Sequence, residues 1–131
     1  DYKAEGDGMK RMGNAFDAFE GVGVIFVVDD KWANANADAL AGFLRAAAKA
    51  SKFLYDPANK QKAVEILVKY TKSPPEDIAK SYDSFYGKDH IMSPNLELTD
   101  KLLQPWLDLR GSKEKPERYI DPTYLKRAVG K

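Results

Sequence analysis

The run of apolar residues from Val22 to Val28, broken only by Gly23, constrains the fold of this chain more than any other feature. In a strand, this run would place apolar side chains on both faces, which is typical of a strand that is buried on both sides. Such a strand needs neighbouring strands and a cover on each face, and the sequence has no second run of this kind. We therefore expect the neighbouring strands to come from sequence outside these 131 residues. Because the sequence begins with Asp1 and not with Met, we also expect it to be part of a longer protein.

Composition limits the classes of function that the sequence supports. Lys and Arg number 21 against 20 Asp and Glu, so the charge balance gives no electrostatic footprint for nucleic acid. The absence of cysteine excludes thiolate metal sites, cysteine nucleophiles and disulfides. No apolar run approaches the roughly 18 residues of a membrane span. With 44% hydrophobic residues, we expect one folded domain with a core of ordinary size.

Helical periodicity follows the apolar run. Apolar residues at i, i+3, i+4 spacing predict an amphipathic helix from about residue 34 to Tyr55, which Asp56-Pro57 ends. Further helices are predicted over about residues 59–70, from the capping box Ser73-Pro74-Pro75-Glu76 to Gly87, over residues 98–109 with a bend at Pro105, and after Asp121-Pro122. Residues 1–20 are predicted to form a loop or a short strand.

Few residues indicate catalytic chemistry. His90 is the only histidine, which excludes a metal site built on two histidines. Asp29 and Asp30 stand between a strand and a helix, where acidic residues more often cap the helix than act as an acid–base pair. Residues 8–14 have the glycine spacing of a phosphate loop, but Asn14 stands where the phosphate-binding lysine is needed. The sequence therefore predicts no enzyme, no metal site and no cofactor.

The order of several short motifs gives the chain a resemblance to a known family. The motifs are Asn36-Ala37-Asp38-Ala39, Phe43-Leu44-Arg45-Ala46, Tyr55-Asp56, the Ser-Pro-Pro-Glu helix start, and Tyr119-Ile120-Asp121-Pro122-Thr123-Tyr124-Leu125. Each is degenerate alone. Their order and spacing over about residues 21–129 resemble the C-terminal part of ABC-importer substrate-binding proteins, in the group that handles sulfonates, taurine, nitrate and thiamine pyrimidine precursors.

The resemblance implies an α/β fold, namely the C-terminal portion of a two-lobed periplasmic-binding protein (type II) that is mostly helical with one crossing strand. Residues 1–20 would end the second lobe and approach the hinge. Residues 21–131 would form the return strand and the helices that pack on the first lobe. The implied function is the substrate-binding component of an ABC importer, which captures a small anionic or heteroaromatic solute and delivers it to a membrane permease. The implied location is periplasmic, or extracytoplasmic with a lipid anchor.

The resemblance also implies where ligand contacts would lie. Most of the cleft is expected ahead of Asp1, so the candidates are the residues just before the apolar run. They are Arg11 for an anionic group, Asn14 for hydrogen bonding, and Phe16 and Phe19 for stacking. In the alternative interpretation, Phe16 and Phe19 belong to a core and Arg11 to the surface.

Two glycines stand at the start of the apolar run. Gly21 and Gly23 suit a hinge, because glycine absorbs large changes in backbone angle. They suit close packing against an adjacent strand equally well.

Two other functions are consistent with the sequence. Fungal relatives of the same family make the thiamine pyrimidine with a lysine-bound pyridoxal phosphate and a histidine that is consumed, and those residues would lie upstream. A free-standing helical interaction domain would instead protect the edges of the Val22 strand by pairing with a second copy. For the chain alone, the sequence predicts no tight small-molecule binding, because part of a cleft cannot bury most of a ligand.

Overall fold

The computed structural model of this chain describes residues 2–13, 19–87 and 93–130. These residues form α-helices joined by short loops and two 3₁₀ turns, Pro57–Asn59 and Pro116–Arg118. The α-helices are α1 Tyr2–Gly6, α2 Asp30–Ala35, α3 Ala37–Tyr55, α4 Lys60–Thr71, α5 Pro75–Tyr86, α6 Asp100–Leu109 and α7 Thr123–Val129.

The predicted α/β fold with a crossing strand is wrong for this chain. The part of the chain that the structure describes forms a small helical domain and contains no sheet. Residues 24–28 are not helical and run without a turn or bend, but no strand lies beside them. The physical reason is that a strand exists only through its neighbours, and the sequence offers no second run that could pair with this one.

The helix predicted after the apolar run is confirmed at its end and corrected at its start. It ends at Tyr55, where the Asp56 side chain accepts a hydrogen bond from the Ala58 N–H at 3.0 Å. Its first part is a separate helix, α2, because Asn36 leaves helical geometry with φ −125° and ψ 32°. The predicted capping role of Asp29 is confirmed, since its side chain accepts from the Trp32 N–H at 3.0 Å.

The helices after Pro57 lie close to their predicted positions. α4 and α5 agree within one or two residues, but Ser73 does not cap α5, because Pro74 occupies the N-cap position. Gly87 ends α5 as predicted with φ −83°, so its role is not left-handed geometry. A Cβ there would overlap the Asp83 carbonyl oxygen, so glycine is needed for the close approach.

The C-terminal helices agree with the sequence pattern, and the N-terminal one does not. α6 contains Pro105 within its span, and α7 follows an Asp121 carboxylate that accepts from the Thr123 N–H at 2.8 Å. α1 was not expected, since residues 1–20 were predicted to form a loop or short strand. Its sequence is only five residues long, ends in a glycine and has no long apolar stripe.

The chain divides into two compact units. Residues 1–12 and 47–96 form one unit, in which Ala63, Ile78 and Tyr82 are buried. Residues 13–46 and 97–131 form the other. Its buried side chains are Ala33, Leu40, Ala41, Leu103, Leu107 and Ala128. None of the helices described is both long and apolar enough to cross a membrane.

Candidate functional site

The most unusual local feature of the molecule is a straight apolar segment, Val24–Val28, in the second unit. It is held firmly at its N-terminal end. The Val22 N–H donates to the Leu102 carbonyl at 3.0 Å, and the Trp106 indole N–H donates to the Val22 carbonyl at 2.8 Å. The backbone just before the segment is therefore fixed to α6.

Gly21 completes this anchor. The rings of Phe19 and Trp106 meet edge to face with centroids 4.7 Å apart. A Cβ on Gly21 would lie 2.7 Å from the Trp106 indole nitrogen and closer still to the Phe19 ring. The position therefore has a close-packing reason for glycine, although its neighbours are the Phe19 and Trp106 side chains and not the adjacent strand that was expected from sequence. The hinge role of Gly21 and Gly23 stays a prediction.

The C-terminal end of the segment is fixed by the start of α2. The Asp29 carbonyl accepts from the Ala33 N–H at 2.8 Å, and the Asp29 carboxylate caps the same helix. The segment is thus pinned on both sides by backbone and side-chain hydrogen bonds.

Between these two anchors the segment has no backbone partner. Among the described residues, no hydrogen bond joins residues 23–28 to another part of the chain. The side chains of Val24–Val28 are 44–79% exposed. One contact ties the segment to a helix, where Phe26 and Phe43 of α3 meet edge to face at 5.1 Å. A pinned, unpaired and exposed apolar segment is what a partner polypeptide would bind.

Two surface depressions are further places where a ligand could rest. One, of about 390 Å³ in the second unit, is lined by residues 34–39 and Arg127. Arg127 is ion-paired with Asp38 there. The other, of about 570 Å³ in the first unit, lies between α4 and α5 beside the Pro57–Asn59 turn. No cluster of metal-binding side chains occurs in the described ranges.

The predicted ligand residues are only partly accounted for. The Arg11 guanidinium donates to the Glu5 carboxylate at 2.7 Å and lies over the Tyr2 ring at 5.0 Å. Its hydrogen bond lowers the pKa of the Glu5 carboxyl. Phe19 packs on Trp106, as the core interpretation predicts, and Arg11 belongs to the other compact unit. Asn14 and Phe16, like His90, lie outside the described residues.

Sequence reasoning missed the residues that hold the segment in place. Trp106 and Phe43 lie in predicted helices, and helical periodicity alone does not indicate their contacts with the segment. One signal was present, since a tryptophan N–H that becomes partly buried usually finds a hydrogen-bond acceptor. Nothing in the sequence showed that this acceptor is the carbonyl of Val22, which lies 84 residues earlier.

No family model, no curated protein and no solved structure matches this chain. The class of protein that the structure defines is a small helical domain with an unpaired apolar segment.

Proposed function

We propose that this chain is part of the substrate-binding component of an ABC importer, which captures a small anionic or heteroaromatic solute outside the cytoplasmic membrane and passes it to a permease. The proposal rests on the order of the family-like motifs. It concerns the helical domain as it stands, since the fold expected from the same resemblance is wrong.

The observation that carries the proposal is where the motifs lie. Asn36-Ala37-Asp38-Ala39 spans the break between α2 and α3, and Tyr55-Asp56 spans the end of α3. The Ser-Pro-Pro-Glu motif leads into α5, and the Asp121-Pro122-Thr123 part of the last motif leads into α7. Motifs that mark successive helix boundaries constrain the helix lengths and loops together, which makes their shared order more informative than any one of them.

The two depressions do not supply a closed solute site by themselves. Small-molecule sites bury most of the ligand surface in a cleft lined mainly by apolar groups. The depression at Arg127 is lined by polar groups and its guanidinium already has a carboxylate partner. The proposal therefore requires further polypeptide to complete the site.

Titration calorimetry tests the proposal with taurine, an aliphatic sulfonate, nitrate and an aminopyrimidine as probes. We expect the gene product that contains this chain to bind one of them tightly, and residues 1–131 alone to bind none. Failure of the gene product to bind any probe would contradict the proposal. Tight binding to the isolated chain would contradict the requirement for further polypeptide.

Arg11 provides a sharper test within the same gene product. If it contacts an anionic solute, Arg11→Ala weakens binding about tenfold or more, because a hydrogen bond to a charged group contributes about 1.5–3 kcal/mol. Arg118→Ala is the matched control, since Arg118 is also paired with a carboxylate, Glu114, at 3.0 Å. Equal affinities for the two variants would remove Arg11 from the site.

A further inference from the structure

The apolar segment Val24–Val28 combines features that make a backbone available for strand pairing. It is straight, its residues all have negative φ, and its amides and carbonyls have no partner among the described residues. An unpaired backbone flanked by exposed apolar side chains is a template for another strand. Its two anchors hold it in place, so little conformational entropy opposes pairing.

We propose that this segment pairs with the same segment of a second copy of the chain, antiparallel and centred on Phe26. In that register Phe26 faces Phe26, Val24 faces Val28 and Ile25 faces Val27 of the second copy. Every cross-strand pair is then aromatic with aromatic or β-branched with β-branched, which are the favourable combinations. The arrangement is a closed two-fold dimer.

The charges beside the segment favour the antiparallel direction. In a parallel, in-register pair, Asp29 and Asp30 of one copy would lie beside Asp29 and Asp30 of the other, and like charges side by side are destabilising. In the antiparallel pair, Asp29 lies opposite Gly23. The antiparallel direction therefore avoids the repulsion between the Asp29 carboxylates.

The anchors also limit the length of the pairing. The Val22 N–H and carbonyl already bond to α6, and the Asp29 carbonyl already bonds to α2. With Phe26 at its centre, the ladder is therefore confined to residues 24–28. Because two-stranded ladders of this length are marginal in water, we expect a reversible dimer that depends on concentration. This inference does not rest on the importer proposal, and any other polypeptide that covers the segment would compete with the second copy.

Single cysteines test the register directly, since the chain has none of its own. Opposed residues of an antiparallel pair have Cα atoms about 4.5–5.5 Å apart, which suits a disulfide. Phe26→Cys should therefore cross-link to itself under mild oxidation. Val24→Cys should not, because its equivalent in the second copy lies about 13 Å away along the strand. A mixture of Val24→Cys and Val28→Cys should give the mixed dimer.

The comparison is controlled for accessibility. Val24 is 75% exposed and Phe26 64%, so a difference in cross-linking reports pairing geometry rather than access to oxidant. Leu109→Cys, also exposed, measures the rate of random collision. Equal cross-linking of Phe26→Cys and Leu109→Cys would overturn the proposal. Self-cross-linking of Val24→Cys as fast as that of Phe26→Cys would overturn the antiparallel direction.

Sedimentation equilibrium of the unmodified chain supplies the second readout. We expect a monomer–dimer equilibrium, and Val27→Lys should shift it to monomer, because a lysine opposite Ile25 buries a charge in the ladder. Leu109→Lys should leave the dimer unchanged. A wild-type chain that stays monomeric at every concentration, or a Val27→Lys variant that still dimerises, would contradict the inference.

Discussion

Two regions of the molecule that carry apolar side chains, the α4–α5 pair and the segment Val24–Val28, are held in different ways. In the α4–α5 pair, apolar residues occur on one face of each helix, and Ile78 and Tyr82, one turn apart on α5, are buried. Polar residues on the same helices meet in an ion pair, Lys60–Asp83, at 2.6 Å. In the apolar segment both faces are apolar and all five side chains stay exposed. A single apolar stripe finds a cover nearby in the sequence, whereas a doubly apolar run needs partners on both faces, and none pairs with it among the described residues.

The largest expected effect separates the two regions by stability. Ile78→Ala should lower the free energy of unfolding by about 2–5 kcal/mol, because it removes buried methyl groups and leaves a cavity. Val27→Ala, in the exposed segment, should change it by about 0.5 kcal/mol or less at concentrations where the chain is monomeric. Urea unfolding followed by far-UV circular dichroism measures both. Similar losses for the two variants would mean that the segment is covered within the monomer.

A second prediction tests the anchor of the segment. Gly21→Ala should destabilise the chain by about 1–3 kcal/mol, because the new methyl group collides with Phe19 and Trp106. Gly42→Ala is the matched control in α3, where no atom lies within 4 Å of an added Cβ. It should stabilise by about 0.5–1 kcal/mol, since alanine loses less entropy than glycine in a helix.

Tryptophan fluorescence gives an independent readout of the same pair of variants. Loss of the packing around Trp106 should change the emission of Gly21→Ala and leave that of Gly42→Ala unchanged. If both variants are equally stable, the close packing of Gly21 against Phe19 and Trp106 does not require a glycine. The hinge interpretation of Gly21 would then regain its place.

These contrasts explain which parts of the fold the sequence predicts. Helix positions were predictable wherever a stripe of period 3.6 meets a local stop, as at Asp56-Pro57 or Gly87. Strand formation was not predictable in the same way, because an apolar run indicates that a segment would be buried in a sheet but does not show whether a partner strand is present. The helix break at Asn36 was also missed, because residues 34–39 alternate alanine with Asn and Asp and carry no proline or glycine that would mark a stop.

The candidate site was less predictable than the helices. Arg11 and Phe19 were chosen for their position before the apolar run, yet their contacts are with Glu5 and Trp106. The anchor of the segment depends on contacts between residues more than 80 positions apart, such as Trp106 and Val22. Sequence patterns give local periodicity, and contacts of this separation depend on how the helices pack.

The third prediction concerns the polar group inside the well-packed region. The Tyr82 hydroxyl donates to the Leu54 carbonyl at 2.5 Å, so Tyr82→Phe should cost about 0.5–1.5 kcal/mol at neutral pH. Burial raises the pKa of Tyr82 from its usual 10.0, and it also raises the pKa of Tyr55 and Tyr86. Stability from these groups is therefore full below about pH 10 and falls as the pH rises above it.

Urea unfolding between pH 8 and pH 11 measures this dependence. Tyr82→Phe should lose less stability than wild type over the alkaline part of the range, because one titrating hydroxyl is gone. Tyr70→Phe is the control, since Tyr70 is 77% exposed. If the free energy of unfolding depends on pH equally in Tyr82→Phe and in wild type, the Tyr82 hydroxyl is not buried.

The smallest effect is expected at the start of α7, in the same unit as the apolar segment. Hydrogen bonds from the Thr123 side chain and then from its backbone N–H lower the pKa of the Asp121 carboxyl. Because its pKa is lowered, the ionised carboxylate stabilises the folded chain at pH values above its usual pKa of 3.8. This stabilisation is lost as the pH falls below 3.8 through the lowered pKa of the folded chain. Asp121→Ala should cost about 0.5–1 kcal/mol at pH 7, at the low end for an exposed cap. Asp121→Asn keeps an acceptor oxygen, so it should retain most of the stability at pH 7 while losing the acid dependence. Unfolding at pH 7 and pH 3 distinguishes the two variants, and equal acid dependence in wild type and Asp121→Asn would show that the charge contributes nothing. If the prediction holds, the second unit owes part of its stability to local caps, whereas its apolar segment has no backbone partner within the described chain.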